Sequence, residues 1–539
     1  MISWPATDSE EVAMAMKRWK PPKKISRQEA FILKRCKKKR KLFAFLREHR
    51  SDLFDDAFQE EFEAMYRDTG AGKPPVPPAV MAMATILQGY LGLSDADVVE
   101  MTVVDLRWQM VLGCLGSTTP LFSQGALFYF RERMIAHEMD RRLLERTAAL
   151  ARSSKGFDAK KLPKTLRVAV DSSPLEGAGR LEDTINLIGH AARKVAQCAA
   201  QLLETEFEVV CERAGIPLLL EKSVKKALDC DWSDPKQKGE AVDILAKQVL
   251  SLERWICHHL EGAVDHPPLR DVLEVLRQVM DQDLEPDPGG GGFRIAKGVA
   301  KDRRISIEDG EMRHGRKSKS KRVDGYKRHA GKDLDSNAIL ACAVTPANEP
   351  EQEAMPKLQA DMAQQDLRIA ELHIDRAYMG SPVVSEYAAA GTAILCKPWK
   401  ARNGELFSKE DFKQDHRAKT ITCPAGQTAP IEYGKTTEFA PDVCDGCHLR
   451  SQCTTAARGT GRTVSILADE PTQKKLREMV KTRKGRQQFR ERVSVEHTLA
   501  HIGQRQGPKA RYCGTRKNLF DLRRAALIQN LEIVQRRAA

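Results

Sequence analysis

Apolar and polar positions follow two different periods along this chain, and the switches between them outline its parts. Residues 1–70 are helical in pattern, basic and then acidic, and PPVPP (74–78) interrupts them. From Ala79 to about Ala151 the spacing predicts packed helices, with Ser94 and Asp97 as a capping box that opens the helix VVEMTVVDLRWQMVL. The period then shortens. LRVAV (166–170) is a β-branched run that stops on Asp171. From Asp183 to about Leu284 helix returns, and Leu245, Val249, Leu252, Ile256 and Leu260 share one face. DPGGGG (287–292) reads as a flexible connector. Strand patterns follow at DGYKRHAGKD and AILACAVTP (338–346), separated by the turn LDSN. A helix around EQEAMPKLQADMAQQ leads to the strand RIAELHI, which stops on Asp375. The helix PVVSEYAAAG then leads to the strand TAILCKP (392–398). This alternation predicts an α/β layer with some parallel pairing. Residues 401–470 break the pattern, and from Thr472 helix returns through RERVSVEHTLAHI to NLFDLRRAALIQNLEIVQRR.

Composition narrows the classes. A chain of 539 residues is too long for one ordinary core, so three or more modules are expected. The net charge of +14 favours a polyanionic partner, most simply nucleic acid. The charge is clustered, in KRWKPPKKISR (17–27), KRCKKKRK (34–41), RHGRKSKSKR (313–322) and KTRKGRQQFRER (481–492). No apolar run reaches the roughly 18 residues a bilayer span needs. The first twenty residues lack the apolar core of a signal peptide, so a cytoplasmic protein is expected, with no membrane partner. Thirteen cysteines in so long a chain do not make a disulfide scaffold, and most read as core residues. GAGK before Pro74 is not a phosphate loop, because Lys73 is not followed by Ser or Thr. Adjacent His258 and His259 point in different directions on a helix and do not suggest a metal site.

Two strands ending on bare acids raise a question of chemistry. Asp171 and Asp375 each read as a cap when taken alone. In an α/β layer, however, functional groups collect beyond the strand ends. Carboxylates that converge there resist ionising together, and a hard divalent cation removes the conflict. Two such ions activate a water or hydroxyl and stabilise the leaving oxygen of a phosphodiester. A third acid is available in Glu496, which sits beside an apolar helical face, with Arg492 one turn earlier. Competing acids are Glu176, Glu182, Asp183 and Asp324; the last enters its strand instead of leaving it.

These motifs carry a resemblance. VAVDSSPLEGAGRLEDT, ISIEDGEMRHGRKSKSKRVDGYKRH, HIDRAYMGS and RERVSVEHTLAHIGQRQGPKARY, in that order, resemble segments of bacterial insertion-sequence transposases of the DDE class. GLSDADVVEMTVVDLRWQMVLG with PLFSQGALFYFRERM resembles their N-terminal helical domain, so the resemblance covers essentially the whole chain. It implies an RNase H-like α/β catalytic domain, a mixed sheet flanked by helices. Asp171 on the first strand, Asp375 after the fourth and Glu496 on a late helix would then bind two Mg2+ (or Mn2+) ions. Many relatives carry Tyr, Arg, Glu and Lys around the last acid. Phe489, Arg492 and Glu496 keep that spacing, whereas Gly503 stands at the lysine position, which Lys509 or Arg511 would have to replace.

Four cysteines stand apart. Cys444 and Cys447 form a CxxC knuckle, and Cys453 with the distant Cys423 would complete a tetrahedral, structural Zn2+ site. His448 is a spare ligand, and scattered thiols or a redox site are the alternatives. Relatives carry similar cysteine insertions before the glutamate helix. The expected organisation is an all-α N-terminal domain (1–155), a catalytic domain in two parts (165–182 and 293–404), an all-α insertion (183–292), a zinc-ribbon-like insertion (405–468) and the glutamate and C-terminal helices (469–539). Arg316, Lys317, Lys319, Lys321, Arg322 and Lys327, with Arg492, are candidates for DNA phosphate contact. The early lysine-rich run is open between a disordered tail and a DNA contact. The expected activity is metal-dependent cleavage at terminal inverted repeats and strand transfer of 3′-OH ends into target DNA by a homodimer. A nuclease without strand transfer, and a non-enzymatic DNA-binding protein, share much of this pattern.

Overall fold

The computed structural model describes residues 17–66, 75–153, 165–290, 292–317 and 320–538. The N-terminal part is helical. The early lysine-rich run is the helix Arg27–Lys39, opened by a capping box of Ser26 and Glu29, with Ile32, Leu33 and Cys36 buried and its lysines on the open side. The box of Ser94 and Asp97 is present, but the helix it opens is shorter than its pattern suggests. Asp105 divides the run into Asp95–Val104 and Leu106–Leu112, its carboxylate capping the second piece at the N–H groups of Arg107 and Trp108. Helices α1 (Pro78–Leu91) and α2 (Met139–Arg152) form much of the N-terminal core.

A six-stranded mixed sheet follows: β1 (Thr165–Glu176), β2 (Arg313–Arg316), β3 (Arg322–Asp333), β4 (Ile339–Pro346), β5 (Arg368–His373) and β6 (Ala393–Leu395). The order is β2-β3-β1-β5-β6, and β4 pairs with the rest of β3 beyond β2. β3 runs antiparallel to β1, while β5 and β6 run parallel to it. Two strand ends differ from the sequence pattern. β1 does not stop at Asp171 but continues to Glu176, because β3 pairs with it along that whole length, with Asp171 opposite Ala330. β5 pairs with β1 only as far as Ala169, so the far part of β1 is an edge that tolerates Pro174. β5 itself closes at His373, and Asp375 caps the single turn Arg376–Tyr378, accepting from the Arg376 N–H at 2.6 Å. The cap reading of Asp375 is therefore literally correct.

The segment between β1 and β2 is mainly helical and has its own core, built from Thr184–Leu202, Pro235–His259 and Leu269–Asp283. A two-strand ribbon, Leu284–Pro286 with Phe293–Ile295, closes it across the glycine-rich connector. Residues 413–465 form two small antiparallel sheets over a third core around Phe412, Ile421 and Phe439. Helix α3 (Met355–Ala363) covers β4, and α4 (Val493–Gln506) lies along β1. The last helix, α5 (Thr515–Ala538), packs on α1, α2 and β4 together. Among the described residues no helix is long and apolar enough to cross a membrane.

Candidate active site

Asp171 leaves β1 toward α4, and Asp375 stands just past the end of the parallel neighbour β5. The close register of β1 and β5, with Ala169 opposite His373, places the two acids near one sheet end. Helix α4 brings the third. Arg492 and Glu496 are one turn apart, and with Leu499, Ala500 and Gly503 they line a cavity of about 670 Å3 that Asp171 and Asp375 also line. The three predicted acids are thus gathered in one place.

Arg492 sits among them. Its guanidinium donates to Asp171 Oδ2 at 2.5 Å and to Glu496 Oε1 at 2.8 Å. Burial alone would lower its pKa, yet the carboxylates of Asp171, Asp375 and Glu496 raise it. Burial raises the pKa of Asp171; Arg492 and the Ser172 N–H oppose that shift, and the Glu496 charge adds to it. Three acids around one half-buried cation form a carboxylate cluster. Its donors are all oxygen, which fits a hard divalent cation. Among the described residues no three His, Cys, Asp or Glu side chains are grouped so as to hold a metal ion as they stand. At the carboxylates, Arg492 takes the space between two of them.

The basic candidates divide. Lys317, Lys321 and Arg322 line the carboxylate cavity. Arg316 and Lys327 line a neighbouring cleft of about 610 Å3, which Arg322 also borders. Lys327 donates to Glu349 O at 2.7 Å, and burial lowers its pKa, so it braces the loop beside the cleft. Lys319 lies outside the described residues. Of the competing acids only Glu176 reaches the cavity. Glu182 is buried against His190, Asp183 caps Thr184–Leu202, and Asp324 pairs with His314 at 2.6 Å.

Pattern reading missed Glu351. It lines the cavity and accepts from Ser172 Oγ at 2.7 Å, directly beside Asp171. The only local signal was an acid at the start of the segment after β4. Arg328 was missed as well: it donates to Ser173 Oγ and Gln506 Oε1, both at 2.8 Å, and ties β1 to α4. A Cβ on Gly503 would lie 3.0 Å from Arg328 Nη2, so Arg328 fills the space a lysine at that position would enter. Neither Lys509 nor Arg511 lines the cavity; Arg511 instead donates to Leu93 O at 3.2 Å.

The four cysteines border a common hollow, although they too are not grouped so as to hold a metal ion as they stand. Cys423, Cys444, Cys447 and Cys453 line one hollow of about 30 Å3, without His448. Burial raises the Cys453 pKa, and its three neighbouring thiols add to the shift. The Gln427 and Arg462 N–H groups donate to the sulfurs of Cys423 and Cys444, at 3.3 and 3.4 Å.

Comparison with known families gives two matches. Residues 422–534, which contain the four cysteines and Glu496, match the family described as Transposase DDE domain. Residues 34–133 match the family described as Transposase domain (DUF772). No curated protein and no solved structure matches.

Proposed function

We propose that this chain, which its two family matches support as an insertion-sequence transposase of the DDE class, cuts DNA at transposon terminal inverted repeats and joins the freed 3′-OH ends to target DNA. DDE transposase domains generally use divalent metal ions and act on DNA. The observation that carries the reading is the convergence of Asp171, Asp375, Glu496 and Arg492 in one cavity whose other lining includes Lys317, Lys321 and Arg322. The mixed sheet, with β1 central and β5 parallel to it, supports an RNase H-like catalytic unit.

Asp171, Asp375 and Glu496 would hold magnesium or manganese, two ions, which when bound supply an activated water or hydroxyl and charge neutralisation at the leaving oxygen. The protein's own groups do the rest. Lys317, Lys321 and Arg322 bind backbone phosphates and set the register of the duplex, without reading its sequence. Arg328 and Ser172 hold β1, α4 and Glu351 in place around the reacting phosphate. Arg492 leaves its carboxylates and turns to phosphate. The N-terminal helices, with the exposed lysines of Arg27–Lys39, recognise the repeats, and two chains pair two ends.

The test is cleavage of labelled end DNA with magnesium or manganese, followed by joining to a target plasmid. Cutting without joining leaves a nuclease; salt-sensitive binding without cutting leaves a DNA-binding protein. Replacing Arg492 by Ala removes the internal cation, so manganese should bind the free chain about tenfold more tightly, about 1.4 kcal/mol. Spin-resonance titration reads this directly, and weaker binding would show that Arg492 does not compete for the site.

The cysteine hollow would hold structural zinc, closed by four thiolates and without a catalytic position. Changing Cys444 and Cys447 together to Ser should reduce zinc from about one per chain to near none by elemental analysis. An unchanged content rejects this ligand set.

A further inference from the structure

Helix α4 has a second working face. Arg492, Glu496, Leu499, Ala500 and Gly503 turn to the carboxylates, whereas His497, Thr498 and His501 turn away. Behind them lies another cavity, of about 390 Å3, between α4, the end of α5 and the turn that follows β3. Its lining includes Lys332, His497, His501, Arg536 and Arg537, and among the described residues no carboxylate lines it.

The decisive residue is Lys332. It is only 5% exposed, and its ammonium donates to Ser494 O at 3.2 Å and Ser494 Oγ at 2.7 Å, with no carboxylate bonded to it among the described residues. Asp333 is adjacent, but its carboxylate accepts from the N–H and Oγ of Ser336. Burial pushes the Lys332 ammonium down to about 8, and Asp333 offsets only part of this. A buried cation without a counter-charge is costly unless something supplies one. Arg537, which is exposed, donates to the carbonyls of Ala151 and Ser336. The favourable field at a helix C-terminus explains cations at the end of α5. It does not explain a buried lysine on the neighbouring sheet that points to the same hollow. His497 and His501, one turn apart, add two ring nitrogens each. Ammonium, guanidinium and imidazole donors converging without an acid match a phosphate.

We propose that this hollow is a second phosphate site, which holds a backbone phosphate of duplex DNA on the face of α4 opposite the carboxylates. It rests on the reading of the chain as a DNA-acting protein, but not on the identity of the catalytic acids. DNA would then touch both sides of the helix that carries Glu496, the cut strand in front and a separate stretch of duplex behind.

The experiment uses the full chain and a duplex lacking any terminal repeat. Binding is measured over a range of salt for the parent, for His501→Gln with Arg536→Gln, and for Lys332→Met. Both residues of the first pair are exposed, so it tests the site even if Lys332→Met fails to fold. The expected result is about a tenfold loss of affinity for the pair, with the slope of log affinity on log salt reduced by about 0.9, the value for one B-DNA phosphate. An unchanged affinity and slope would overturn the proposal. Inorganic phosphate separates the sources: if it shields His497 and His501 from acylation while the pair binds DNA as the parent does, the hollow takes small phosphates and the DNA assignment is wrong. Metal-dependent cleavage is scored separately. Normal cutting with an unchanged slope defeats this site alone, and a reduced slope without any cutting defeats the transposase reading alone.

Discussion

Asp375→Asn is expected to abolish metal-dependent cleavage, by about 10^3-fold or more, while leaving the fold intact. Such a loss equals about 4 kcal/mol of transition-state stabilisation, the scale of removing one charge-stabilising group from a preorganised site. The choice of Asn matters because Asp375 also caps the turn Arg376–Tyr378. Asn caps about as well as Asp, so this variant keeps the local structure and removes only the anion. Ala removes both, and should cost about 1 kcal/mol more in stability. Cleavage by Asn at the parent rate would mean that the acid is only a cap, and the proposed triad would fail. Inactive Asn with an unchanged melting temperature would assign the loss to chemistry. Asp171→Asn is expected to behave in the same way, although it additionally frees Arg492 from its 2.5 Å bond.

The second large effect is on stability. Arg523 is buried on α5, and its guanidinium donates to Asp140 Oδ2 of the N-terminal region at 3.0 Å and to Asp361 Oδ1 of α3 at 2.6 Å. Arg523→Met should destabilise the chain by about 3–5 kcal/mol, because breaking a buried pair leaves its partners uncompensated. That is a large share of a usual stability of about 5–15 kcal/mol. Asp140 retains Arg516 at 2.7 Å, so Asp361 is the group left exposed to the cost. Urea unfolding reads the loss, and Asp361→Asn in the same chain should recover much of it. Burial already raises the Asp361 pKa. A carboxyl whose folded pKa exceeds its unfolded value favours folding at low pH, and that contribution is lost as pH rises through the folded pKa. The deficit of Arg523→Met should therefore narrow on acidification. A deficit independent of pH, with no recovery by Asn, would mean that packing and not charge sets the loss.

Local signals in the sequence were read well and distant ones poorly. The capping box at Ser94 and the β-branched runs of β1 and β4 were visible because each depends on neighbours within a few residues, whereas Asp171, Asp375 and Glu496, far apart in sequence, were assembled only through the family resemblance. The reach of β1 past Asp171 was not, because it is set by β3, whose Gly325 pairs with Glu176 from far along the chain. The break at Asp105 hides inside an apolar pattern that a capping side chain overrides. Glu351 looked like any acid at a helix start until Ser172 placed it beside Asp171. Lys509 and Arg511 follow Glu496 in sequence, whereas the cation beside Gly503 comes from β3 as Arg328. The lysines of Arg27–Lys39 left that run open between a disordered tail and a DNA contact, and the buried stripe of Ile32, Leu33 and Cys36 anchors it as a helix.

The position of α5 governs how the protein is made. Gln88, on α1, meets its partner Arg524 only after 436 further residues have been synthesised. Ile339 at the start of β4 has both its N–H and its carbonyl satisfied by the Asn530 side chain, again late in synthesis. At about 5–20 residues per second, the N-terminal helices wait roughly 20–90 seconds with an apolar face uncovered. Through that interval the nascent chain carries its N-terminal helices without the helix that joins the sheet to their core. A chain that stops short of α5 therefore leaves the faces of α1, α2 and β4 that this helix covers open to one another and to solvent.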